Sequence, residues 1–237
     1  MQSMALEDQI RQILQQEGVD FFGVADLSPA REEVARQGGP AIAGYPRAIS
    51  LGIRLFDEIV DTLPERDNRA AAISYRTHCY DVINGRLNEV ASKVAGAVQR
   101  AGFKAYPVPA SDRVDSERIC AVFSHKLAAH LAGLGWIGKS CLLVTPEAGP
   151  RVRFVTVLTD APLTAGTPMD PQCGDCSECV DACPISAYTG RLFREDEPRE
   201  ARYDARKCDA YFKAMEKEGR PVVCGLCLYA CPHGRRQ

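Results

Sequence analysis

Four cysteines stand in the eleven residues from Cys173 to Cys183, spaced Cys-x2-Cys-x2-Cys-x3-Cys, and Pro184 follows them. A second run, Cys224-x2-Cys227-x3-Cys231, also ends at a proline, Pro232. Packing does not require thiols this dense, whereas cubane iron–sulfur chemistry does. Three thiolates on a tight loop reach three corners of one [4Fe–4S] cluster, and the fourth points away to ligate the other cluster. Proline fits after that fourth cysteine because it opens a helical turn without needing an N–H. The second run lacks a leading cysteine and has Pro221 in its place, but Cys208 in "YDARKC" can supply the missing ligand. The expected ligand sets are Cys173, Cys176, Cys179 and Cys231 for one cluster, and Cys183, Cys208, Cys224 and Cys227 for the other. Zinc knuckles use paired Cys-x2-Cys units across a longer loop and leave the prolines unexplained; zinc and a single cluster stay as alternatives. Cys79, Cys120 and Cys141 are scattered and read as small buried hydrophobes.

The chain around these runs has 237 residues, 46% of them apolar and 25% charged, with a net charge of −2. That balance suits a soluble protein with a real core and gives no global pull toward nucleic acid or an anionic membrane. No apolar window is long enough to span a bilayer, and "MQSMALEDQIRQILQQEG" lacks the apolar stretch of a signal peptide. A cytoplasmic location and no membrane partner are expected, and there clustered cysteines read as metal ligands before disulfides.

The elements that must position these thiols follow from periodicity. Leu6, Ile10, Ile13 and Leu14 share one face of a helix over 5–17. "VDFFGVADL" reads as a strand, Ser28 and Pro29 as the N-cap and first position of the next helix, and "PRAISLGIRL" as a second strand. Residues 69–102 form the longest helical pattern, with Ile83, Leu87, Val90, Val94 and Val98 on one face, and "AGFKAYPVPA" leads out of it into a strand. A helix is expected over 119–132, then a hairpin of "SCLLV" and "RVRFVTVLT" turning at "EAGPR". The composition changes near 163–171. The expected fold is α+β or layered α/β, a mixed sheet with flanking helices over residues 1–165, followed by a ferredoxin-like double [4Fe–4S] module over 166–237.

"GLGWIG" places Gly133, Gly135, Trp136 and Gly138 before Lys139. The pattern imitates a dinucleotide fingerprint, but a helix precedes it and a strand follows, the reverse of what that fingerprint needs. The glycines instead mark a sharp turn where backbone can approach a flat cofactor or a neighbouring strand. Tyr75, His78, Tyr80, Tyr106 and His125 are further polar or aromatic groups that could line a pocket or donate a proton.

"AGLGWIGKSCLLVTPEAG", the strand ending "TVLTDAPL", the first cysteine run, "DARKC" and the second run occur in an order that resembles the epoxyqueuosine reductase-like family, itself related to corrinoid reductive dehalogenases. "VDFFGVADL" is similar to that family's opening strand. The resemblance implies an oxidoreductase in which two clusters pass electrons to a cobalamin held by residues 1–165, with Gly133, Gly135, Trp136, Gly138 and Lys139 at the cofactor. It also implies an acid near the reacting centre. The family's aspartate position is occupied by Ile119, and Asp115 in "VDSER" is the nearest candidate. The sequence stops five residues after Pro232 and has no basic surplus, which argues against a tRNA substrate and for a small or unidentified one. A ferredoxin or flavodoxin would supply electrons. The competing expectations are an electron-transfer or reactivating protein without substrate chemistry, and an epoxyqueuosine reductase acting on tRNA.

Overall fold

The computed structural model describes residues 2–235. Helix α1 (Gln2–Glu17) forms where the apolar period is 3.6, and it buries Leu6, Ile10 and Leu14. Strand β1 (Phe21–Asp26) follows and pairs antiparallel with β2 (Arg47–Arg54), Asp26 lying opposite Arg47. Those two side chains form an ion pair at 2.9 Å. Helix α2 (Arg31–Ala43) begins later than Ser28 suggested, with Ala30 at its N-cap. The reason is local. The Asp26 carboxylate accepts the Ser28 N–H at 2.9 Å, which ties residues 26–28 into a turn and moves the helix start downstream. Hydrogen bonds from Ser28, and then Arg47, hold the Asp26 carboxyl below its ordinary range. Gly39, at φ +80°, kinks α2 just before Pro40.

The long helical pattern is three pieces. These are α4 (Arg69–Arg76), a π-helical turn (Thr77–Val82) and α5 (Ile83–Arg100), with the short α3 (Asp57–Val60) ahead of them. The face read from the sequence holds, since Ile83, Leu87, Val90, Val94 and Val98 are all buried. Helix α5 packs against α1 and against the strand it feeds, β3 (Ala105–Val108). The next helix, α6 (His125–Leu131), is much shorter than 119–132, because Ser124 caps it by accepting the Leu127 N–H at 3.4 Å.

The expected hairpin does not form. "SCLLV" contributes β5 (Leu143–Val144), which pairs antiparallel with β4 (Trp136–Ile137), whereas "RVRFVTVLT" contributes β6 (Val152–Thr159) to the main sheet. The turn at 145–149 does exist, closed by reciprocal Thr145–Gly149 backbone bonds at 2.9 Å, but its two arms join different sheets. The four-stranded sheet runs β1-β2-β6-β3, with β3 antiparallel to β6.

Two compact units emerge. The first gathers the residues up to Ile53 with Ile83–Leu134 and Arg153–Met169. Its core includes Leu27, Val34, Ile42, Ala48, Phe123, Leu131 and Leu158. The second gathers Arg54–Val82, Gly135–Val152 and the whole cysteine-bearing stretch from Asp170. The division therefore does not run straight along the chain at 165. The cause is a shortage of apolar material: of residues 164–201, all of them described, Ala187 alone is buried. The segments 54–82 and 135–152, in the same unit, supply what that stretch lacks. Among the described residues no helix is long and apolar enough to cross a membrane.

Candidate metal centre

Each cysteine run in the second unit has the same local build, in which a loop leads to one helical turn and then to a Cys-Pro. In the first, α7 (Glu178–Asp181) carries Cys179, and Cys183 follows it with its N–H on the Val180 carbonyl at 3.1 Å. In the second, Gly225 takes φ +73°, which turns the chain into α9 (Leu226–Tyr229) with Cys227, and Cys231 follows. Helices α7 and α9 pack on each other, so the thiols interleave across the two runs.

The electrostatics show which thiols meet. Burial raises the Cys179 thiol, and Cys173 and Cys176 raise it further. Cys231 is pushed up to about 11 by burial, with Cys179, Cys173 and Cys176 contributing. Burial pushes Cys227 up to about 12, with Cys224, Cys208 and Cys183 adding to it. Cys208 is raised by burial and by Cys224 and Cys183. The thiols thus couple as Cys173, Cys176, Cys179 and Cys231, and separately as Cys183, Cys208, Cys224 and Cys227, while among the described residues no three His, Cys, Asp or Glu side chains are grouped as a single metal ion would need. Cys179, Cys208, Cys227 and Cys231 resist ionisation, and thiolates in such sets repel one another. Iron supplies the missing positive charge, so the donor set fits two clusters chemically. Trp136, fully buried, packs with Val144, Cys173 and Cys231, and its Nε1–H has no hydrogen-bond partner among the described residues. An orphaned donor beside two thiols of one set also fits a sulfur-rich occupant there.

The glycine turn serves this neighbourhood. Lys139 is buried and donates to the carbonyls of Gly174 at 2.8 Å and Cys176 at 2.9 Å, bracing the first cysteine loop. A side chain at Gly138 would stand 2.9 Å from Val144 Cγ2 and 3.6 Å from Cys173 Sγ. At Gly135 a Cβ would run into the Val144 carbonyl oxygen. Gly133 lies in the first unit at φ +75°, its open side 2.5 Å from the Thr167 carbonyl oxygen. Gly135→Ala is expected to force β4 and β5 apart at a cost of about 2–3 kcal/mol. A lowered urea midpoint checks this, as does faster bleaching of the cluster absorbance.

The remaining candidates lie elsewhere. In the first unit, Asp115 bridges to Cys120, and its carboxylate accepts the N–H groups of Glu117 at 2.9 Å and Arg118 at 2.8 Å. Ile119 inside that loop takes φ +53°, which is strained for a β-branched residue. His125 meets Thr156 Oγ1 through Nδ1 at 2.9 Å and the Pro109 carbonyl through Nε2 at 3.0 Å. The carbonyl can only accept, so Nε2 carries the proton and Nδ1 accepts from the hydroxyl. Burial lowers this imidazole to about 4. The unfolded chain takes up that proton near pH 6.5, so the stability His125 lends is complete above 6.5 and lost as pH falls to about 4. The expected loss is about 2–3 kcal/mol, and His125→Gln should flatten that limb of a stability–pH curve. In the second unit, Tyr75 is buried and meets Tyr80 edge-on at 5.9 Å, while His78 stacks on Phe56 at 4.5 Å. Tyr106, on β3 in the first unit, is 38% exposed. Cys79 and Cys141 are buried and Cys120 is half-buried.

Comparison with known proteins agrees with this geometry. Residues 172–234 match the family model of a 4Fe-4S double cluster binding domain. An epoxyqueuosine reductase from Pseudomonas aeruginosa is 32% identical over 168 residues, which cover 66% of this chain and 41% of that one. Over that stretch the chain is similar to epoxyqueuosine reductases. It spans less than half the length of the first curated relatives it matches. Its fold is that of a solved structure described as "Reductive dehalogenase structure suggests a mechanism for B12-dependent dehalogenation", with a TM-score of 0.73, 24% identity, and 96% of this chain and 31% of that one covered. An epoxyqueuosine reductase structure from Bacillus subtilis superposes with a TM-score of 0.63 at 17% identity, covering 98% of this chain and 66% of that one.

Two residues that touch the cysteine sulfurs escaped the sequence reading. The Tyr188 hydroxyl donates to Cys227 Sγ at 3.2 Å, and Tyr203 is hydrogen-bonded to Cys208. The available signal was spacing alone, since each tyrosine stands five residues from a cluster cysteine, Cys183 and Cys208.

Proposed function

We propose that this chain is an iron–sulfur reductase, with Cys173, Cys176, Cys179 and Cys231 ligating one [4Fe–4S] cluster and Cys183, Cys208, Cys224 and Cys227 the other. The observation that carries the reading is the electrostatic grouping of eight largely half-buried thiols into two sets of four. When bound, the clusters supply one-electron transfer, and a low-potential ferredoxin or flavodoxin suits them as donor. The chain's own residues protect and orient that chemistry. Lys139 fixes the first loop, and Gly135, Trp136 and Gly138 close the chain down on Cys173 and Cys231.

We place the electron acceptor with residues 1–165 and the relay with 166–237. Support for a corrinoid as that acceptor comes from the likeness to a fold described with B12-dependent dehalogenation. No step is assigned through it, because Gly133, Gly135 and Gly138 face the chain itself where a side chain would stand. Asp115 is the candidate acid for a small or unidentified substrate. Its two backbone partners and the strained Ile119 favour a second reading, delivery of electrons to a partner protein without substrate chemistry. A neighbour in fold was solved with a tRNA-Tyr stem loop carrying epoxyqueuosine; the net charge of −2 here speaks for a substrate other than tRNA.

The test is an anaerobic titration with hydroxocobalamin, reading iron content and the visible spectrum together. About eight iron per chain supports the two ligand sets, and about four or none overturns them. A spectral shift on mixing supports the corrinoid. An unchanged spectrum leaves the electron-transfer reading, and restored queuosine in a strain lacking that step would instead establish the tRNA reaction.

A further inference from the structure

The two thiol sets differ in what surrounds their sulfurs. Near the Cys183, Cys208, Cys224 and Cys227 set, two tyrosines stand side by side. A short antiparallel bridge pairs Tyr188 with Tyr203, fixed by the Thr189 N–H on the Arg202 carbonyl at 3.0 Å and the Asp204 N–H on the Ala187 carbonyl at 2.8 Å. Bridged residues opposite each other on a ladder project to the same side. The rings accordingly stack, with centroids 5.1 Å apart and planes at 21°. The stack aims the Tyr188 hydroxyl at Cys227 Sγ, 3.2 Å away, and the Tyr203 hydroxyl at Cys208. The Ala187 N–H adds a third donor, 3.3 Å from Cys183 Sγ. Behind the bridge, Arg202 is buried, with its guanidinium over the Phe193 ring at 4.7 Å. Both tyrosines are half-buried. Each phenol presents its O–H to the sulfur it faces.

We propose that Tyr188 and Tyr203 form a paired hydrogen-bond clamp that sets the potential of the cluster on Cys183, Cys208, Cys224 and Cys227 above the value its thiolates alone would give. The inference rests on the ligand assignment proposed above. One electron arriving from the donor makes the cluster and its thiolates more negative. The two O–H groups stabilise that added charge, and no proton moves and no bond breaks. On the other set the side-chain hydroxyl donor is Ser140, at Cys179. The clamp gives the two clusters unequal potentials and a direction to the relay. Tyr188 and Tyr203 are positioning residues here, acting through sulfur and not on substrate.

The test is an anaerobic EPR redox titration of the cluster-loaded protein, comparing wild type with Tyr188→Phe, Tyr203→Phe and the double variant. Phenylalanine keeps the stack and removes only the O–H. The expected result is a lower midpoint for one cluster signal, larger in the double variant, with the other signal unmoved and iron still about eight per chain. Unmoved midpoints at full iron overturn the clamp and leave the ligand assignment intact. About four iron in wild type overturns the assignment instead. Should a variant lose its cluster, wild type exchanged into D2O decides. Exchangeable deuteron couplings on the reduced second cluster beyond the one the Ala187 N–H supplies support the clamp, and a single coupling overturns it.

Discussion

Cys183→Ser is expected to remove the cluster that belongs to the second cysteine run, not the one that belongs to its own. Cys183 lies only four residues after Cys179, yet its thiol couples electrostatically to Cys208 and Cys227. Iron should fall from about eight to about four per chain, and the EPR signal that disappears should be the one lost in Cys224→Ser. Cys176→Ser should remove the other signal. If Cys183→Ser and Cys176→Ser abolish the same signal, the crossed assignment is wrong. Cys176→Ser should also lower the yield of soluble protein. Ala187 is the sole buried residue among 164–201 of the described chain, so the first run has almost no apolar core and iron must contribute part of its folding energy. A soluble, fully folded Cys176→Ser protein would contradict that.

The double-cluster domain was legible because cubane ligation imposes its own cysteine spacing, and residues 172–234 match that family model. The α5 face was equally legible, since five apolar residues at intervals of three and four allow a single helical face. Other features depend on contacts that spacing does not encode. The hairpin reading treated "SCLLV" by its nearest strand, but Gly135 lets the Val144 carbonyl come so close to β4 that β5 pairs there instead. The helix expected at Ser28 starts later because Asp26, fixed opposite Arg47, captures the Ser28 N–H. Lys139 looked like a cofactor contact beside glycines, and its buried ammonium holds two carbonyls of the cysteine loop. The tyrosine clamp was hidden for the same reason, because a two-residue bridge across a loop leaves no periodic trace.

Arg151→Met should be the most damaging substitution outside the cysteines, at about 3–5 kcal/mol. Arg151 is 1% exposed and reaches Asp57, 4% exposed, at 3.0 Å, and Asp61 at 2.7 Å. Its carbonyl accepts the Leu55 N–H at 2.8 Å, and Gly234 packs on its side chain. One residue therefore ties the start of 54–82 to 135–152 and to the end of the second cysteine run, all within one compact unit. Methionine fills a similar volume and takes the Arg151 guanidinium away from the buried Asp57 carboxylate, which Arg54 approaches at 2.8 Å. The cost comes from that stranded charge more than from the lost attraction, since a buried pair gains little over an apolar replacement. The double variant Arg151→Met with Asp57→Leu should accordingly recover most of the loss. Urea unfolding followed through the cluster absorbance measures both. A single variant within about 1 kcal/mol of wild type, or a double variant worse than the single, would show that the pair is not what holds these segments on the cysteine runs.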